Sequence, residues 1–131
     1  MDTTSRVGRP YQQTADQIRQ FIEEVESFYM LERARPYGIE RRDVERTNVT
    51  MPVQITALDN HLNPLDYQYH GITRDISPKG IGLVATNPVG LTYVTLNFQP
   101  YYGESFTALG KVIRCEEIGY YFTIGCEFLL D

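Results

Sequence analysis

Nowhere in this chain of 131 residues does an apolar run approach the ~18 residues that a membrane span requires, so no membrane insertion is expected. The opening residues, MDTTSRVGRPYQQT, lack the apolar centre of a secretory signal. Cysteine is scarce, with Cys115 and Cys126 alone, one on each side of a predicted hairpin turn. A bridge across that turn would join positions several residues out of step, which disulfide geometry forbids. Reduced thiols in a cytoplasmic protein are therefore expected. Histidine is equally sparse: His61, His70 and the two cysteines fall in different elements without ligand spacing, so no metal and no cofactor are predicted. No CxxC, HExxH, P-loop or GxSxG occurs, and the carboxylates are scattered. His70 lacks the oriented partner that a general base needs. An enzyme is the weaker class. Positive charge is in deficit as well, with a formal net charge of -5. That sign argues against a protein that coats DNA or RNA, while a small anionic ligand needs only a local cluster of arginines.

What is present reads as one folded domain, with 42% apolar and 22% charged residues. Residues 1–13 carry no pattern and are expected to be a loose N-terminus. Thr14 followed by Gln17 is a capping box, and Ile18, Phe21, Ile22, Val25, Phe28 and Tyr29 recur at helical spacing. Residues 15–33 are thus predicted as an amphipathic helix, stopped by Pro36 and Gly38, within an N-terminal unit spanning 14–37. The apolar stripe fits two occupants, the body of the domain itself or a partner surface such as a second copy. From residue 38 to 131 the pattern changes to short β-type runs at 47–57, 65–74, 81–86, 91–98, 104–116 and 120–130. Six strands with short turns and no intervening helix predict a small antiparallel barrel, closed so that no edge is left open. Pro52 inside the first run implies a bulge or an edge there.

Two stretches are richer in polar side chains than a turn requires. In ERRDVER (40–46), Arg41, Arg42 and Arg46 crowd together just before the first strand. Arginine forks suit phosphate oxygens and the acceptor edge of guanine; the same run, interleaved with Glu40, Asp43 and Glu45, equally fits a solvated ion-pair patch. In TRDISPKGIGL (73–83), Asp75 and Ser77 precede Pro78, Gly80 and Gly82. Either these side chains bond their own turn, or they face something outside the chain.

Taken together and in order, Arg42-xxx-Arg46 and Asp75-Ile76-Ser77-Pro78-Lys79-Gly80 resemble the RxxxR and DxSxxG signature of PilZ domains. The resemblance runs over roughly residues 38–130, includes GYYFTIGCEF (119–128), and leaves 14–37 outside. It implies a mainly β fold, a six-stranded antiparallel PilZ-like barrel behind an N-terminal helix. It also implies a receptor without catalysis for cyclic di-GMP, a bacterial second messenger. By that resemblance Arg42 and Arg46 clamp guanine edges and phosphates, and Asp75 and Ser77 bond a guanine from the barrel face. Gly80 allows a tight turn, and Arg41 matches an extra arginine that helps hold a second, intercalated ligand, giving two per chain. Capture by the arm would shift the helix or the oligomeric state, with a downstream protein or a homodimer as the partner. The alternative is a PilZ-like barrel that binds no nucleotide and serves as a protein-interaction module. An RNA-binding or DNA-binding barrel is disfavoured, because its tyrosine-rich runs are not interleaved with basic residues.

Overall fold

The computed structural model describes residues 11–33, 47–90, 92–101 and 103–131. Helix α1 (Ala15–Arg33) begins as its capping box dictates. The Gln17 amide donates to Thr14 Oγ1 at 3.1 Å, and the Thr14 amide donates to Gln17 Oε1 at 2.8 Å. These bonds satisfy donors that a helix N-terminus otherwise leaves orphaned. Ile18, Phe21, Ile22 and Val25 are buried in the same core as the strands. Phe21 stacks on Phe106 at 4.4 Å between ring centroids and meets Phe98 at 5.6 Å. The domain's own body therefore takes the stripe from Ile18 to Val25. Burying four such side chains contributes on the order of 6–12 kcal/mol before ordering costs are subtracted. Phe28 and Tyr29, expected on the same stripe, lie outside the described side chains, as do the stop signals Pro36 and Gly38.

The chain before the helix is tied down too. Gln13 Nε2 donates to the Thr107 carbonyl at 2.8 Å, Gln12 Nε2 to that of Leu130 at 3.0 Å, and the Asp131 amide to the Gln13 carbonyl at 2.9 Å. Farther along, Thr47 Oγ1 donates to Glu26 Oε2 at 3.0 Å, so the helix is also bonded to the first residue of the sheet.

The strands are β1 (Thr47–Asn48), β2 (Pro52–Leu58), β3 (Pro64–Ile76), β4 (Gly80–Ala85), β5 (Tyr93–Phe98), β6 (Phe106–Ile118) and β7 (Tyr121–Phe128). Neighbours run antiparallel in the order β3-β2-β5-β6-β7-β4, and β4 pairs back onto β3, which closes a six-stranded barrel. Short β1 lies beside the end of β3, with Thr47 opposite Ile76 and Asn48 opposite Asp75. The first run expected from sequence is thus broken at 49–51. Val49 and Met51 both turn into the core, and buried Thr73 stitches the gap. Its hydroxyl donates to the Val49 carbonyl at 2.6 Å and accepts from the Met51 amide at 2.9 Å. Pro52 opens β2, where its missing N–H costs no interior ladder bond. The predicted ends of β3 and β6 also move outward by two residues each, to Ile76 and Ile118. Among the described residues no helix is long and apolar enough to cross a membrane.

Cys115 lies opposite Ile124, whereas Cys126 lies opposite Val112, and both thiols are free. Burial, aided by the charge of Cys115, pushes the Cys126 thiol up to about 12. At pH 8 only about one Cys126 in ten thousand would be a thiolate, and the thiolate is the reactive form. An alkylating reagent should therefore modify Cys115 first in the native protein and reach Cys126 only in denaturant, as read by mass spectrometry. Equal labelling of both would show that the core around Cys126 opens.

Candidate ligand-binding site

The stretch TRDISPKGIGL forms the end of β3, a tight turn and the start of β4. It is less of a loop than its composition suggests, because Arg74, Asp75 and Ile76 all belong to β3. Ser77 shapes the turn. Its amide donates to the Gly80 carbonyl at 2.9 Å, and its Oγ accepts from the amides of Lys79 at 3.2 Å and Gly80 at 3.3 Å. Only 6% of Ser77 is exposed. The Phe128 amide donates to the Lys79 carbonyl at 2.8 Å and fastens the turn to β7. Gly80 is there because a Cβ would stand 2.5 Å from the Cys126 carbonyl oxygen.

Asp75 owes its outward position to a bulge. Thr73 pairs with Leu83 and Asp75 with Gly82, so Arg74 is an extra residue. In a regular strand, with Thr73 inside, Arg74 would face outward and Asp75 would point into the barrel. The bulge puts both outside and returns Ile76 to the core. Asp75 remains only 16% exposed by side chain, with Arg74 Nε 3.6 Å from its Oδ2. The carboxylate leans over Gly82: a Cβ there would come within 2.9 Å of Asp75 Oδ1 and 3.3 Å of an Arg74 guanidinium nitrogen.

The pairing carries this row further. Gly82 is opposite Gly125, and Gly125 is opposite Arg114. Leu83 and Ile124, next along the two strands, are core residues, so both glycines face outward. On the outer wall, Asp75 and Arg114 thus bracket two positions without side chains, and each of the two lies over its own glycine. The surface beside this floor holds the exposed Ile72 and the half-buried Val84 and Thr123, which occupy the adjacent row.

The model of the PilZ domain matches residues 40–131. The chain belongs to the PilZ family. No curated protein matches it significantly. PilZ domains are receptor modules without catalysis, and the match begins just before Arg41, leaving α1 outside. Of the residues expected in the PilZ site, Asp75, Ser77 and Gly80 come together in the β3–β4 hairpin, while Arg41, Arg42 and Arg46 lie outside the described residues. Gly125 and Arg114 were missed by the sequence reading, and Gly82 was read only as a turn residue. A glycine isolated within a strand pattern signals a close approach of backbone or ligand, and that signal was present in YYFTIGCEF.

Proposed function

We propose that this PilZ chain is a cytoplasmic receptor for cyclic di-GMP, with Asp75 as the residue that recognises a guanine. The observation that carries this reading is a carboxylate that a strand bulge holds on the outer face of the barrel, over Gly82. A carboxylate only accepts hydrogen bonds, so it matches the adjacent N–H donors of a guanine edge. Arg42 and Arg46 supply the complementary part, forks for the O6 and N7 acceptors and for the phosphates. Arg41 contributes a further fork for a second, intercalated molecule. Ser77 and Gly80 serve the site by fixing the turn that follows the end of β3, where Asp75 is carried.

The relay runs through the segment 34–46, which joins two anchored points. On one side α1 is packed on the core, and on the other Thr47 is hydrogen-bonded to Glu26 of that helix. Arginines that close over a ligand from this segment pull directly on Thr47, and through Glu26 on α1. That makes the helix and the Thr47–Glu26 contact the parts whose position a protein partner, or a second copy of the chain, would read.

Calorimetric titration tests the reading, with GMP and cyclic di-AMP as controls. Cyclic di-GMP is expected to bind at ~1 µM or tighter, about -8 kcal/mol, with two molecules per chain. No heat with cyclic di-GMP, in a folded protein, would assign the barrel to protein contacts alone. A ratio of one would remove the second-ligand role of Arg41.

A further inference from the structure

We infer that Arg114 is an anion-binding residue of this site, a cation carried by the barrel wall that grips the phosphodiester of a ligand whose guanine meets Asp75. The inference rests on the receptor reading above and deepens it.

The first observation is a second bulge. Val112 pairs with Cys126 and Arg114 with Gly125, so Ile113 is an extra residue in β6. With Val112 in the core, regular alternation would turn Ile113 outward and Arg114 into the barrel. The bulge exposes both and returns Cys115 to the core side. This is the same device that brings out Asp75. The two bulges flank the β4–β7 pair at one level, so the row runs Asp75, Gly82, Gly125, Arg114. Bulges that re-aim a side chain are common beside binding sites.

The second observation is how the side chain lies. Arg114 folds across Gly125, its guanidinium nitrogen 3.4 Å and its Cζ 3.6 Å from where a Cβ would be. Asp75 leans over Gly82 from the other side. Gly82 and Gly125 face each other across the β4–β7 pair, so carboxylate and guanidinium lie over neighbouring strands. Even so, among the described residues no carboxylate forms an ion pair with Arg114, whereas Arg19 pairs with Asp16 and Arg74 with Asp75.

The chemistry follows from that polarity. A guanine nucleotide has N–H donors on one edge and a phosphate across its sugar. The cation beside Asp75, Arg74, is already paired with it, so a phosphate across the glycine pair calls for another cation on the same wall. Arg114 provides it, with a planar fork suited to two phosphate oxygens.

The test compares cyclic di-GMP titrations of the unmutated protein, Arg114→Gln and Arg114→Lys at low and high salt. Arg114→Gln is expected to weaken binding roughly tenfold or more and to flatten its dependence on salt, because a charge pair is lost. Arg114→Lys should keep part of the affinity and the salt dependence. The exposed position should leave the melting temperature of both variants unchanged. Arg114→Gln binding as tightly as the unmutated chain would overturn the inference and leave the receptor reading intact. So would a weaker Arg114→Gln with an unaltered salt dependence, which would mean a role in shape alone. Absence of binding by the unmutated protein would instead overturn the receptor reading, and this one with it.

Discussion

Gly80→Ala is expected to lower the melting temperature by roughly 10–15 °C, a loss of about 3 kcal/mol for a domain of this size. The added methyl would stand 2.5 Å from the Cys126 carbonyl oxygen, a separation that real Cβ atoms do not show. The Cβ is fixed by its own backbone and the atom it meets is backbone, so no rotamer relieves the clash. β4 and β7 must part where Gly80 pairs with Glu127 and where the Phe128 amide bonds the Lys79 carbonyl. Gly125→Ala is the matched control. The atoms nearest its methyl all belong to the Arg114 side chain, the closest at 3.4 Å, and that side chain can lift away. Its melting temperature should stay within a few degrees of the unmutated value. Thermal melts of the two variants decide the matter, and equal melting would show that β7 can yield at Cys126. The glycine of the DxSxxG motif thus acts on stability first and on the ligand through the turn it permits.

The parts of this fold that are local in sequence were legible there. Thr14 and Gln17 announce the helix start, the spacing of Ile18 to Val25 gives its buried side, and six β-type runs give the barrel. The occupant of the helix stripe was not legible, because periodicity shows which face is apolar and nothing of what covers it. Phe98 and Phe106, which receive Phe21, lie more than seventy residues along the chain. The break at 49–51 was half visible in Pro52, but its cause, the Thr73 hydroxyl, comes from another strand. The bulges at Arg74 and Ile113 were invisible for a related reason. A bulge is one residue too many relative to a partner, and a single strand cannot show it. Asp75 was found because its motif is contiguous. Arg114 was not, because its neighbours in the site come from β7 and, beyond that, β4.

Asp75→Asn is expected to weaken cyclic di-GMP binding about a hundredfold, or about 2.7 kcal/mol, and to erode the preference for guanine over adenine. The amide has nearly the shape of the carboxylate, so it can occupy the same space over Gly82 and the strand should keep its register. Its chemistry differs in two ways. One of two acceptor oxygens becomes an NH2, which would face a guanine N–H donor to donor, and the charge that strengthens the remaining bond is gone. Adenine gains by the same change. It offers a donor beside an acceptor, a pattern that an asparagine amide complements and a carboxylate does not. The ratio of cyclic di-GMP to cyclic di-AMP affinity should therefore fall in the variant, partly through tighter binding of the adenine ligand. Gly82→Ala reaches the same carboxylate by another route, since its Cβ would sit 2.9 Å from Oδ1 and must push it aside. That variant retains the charge but misplaces it, so it should lose affinity for the guanine ligand without gaining any for adenine. Titrating both nucleotides into both variants separates chemistry from position. If Asp75→Asn bound both as the unmutated chain does, Asp75 would be a structural partner within the protein, and guanine recognition would have to reside elsewhere.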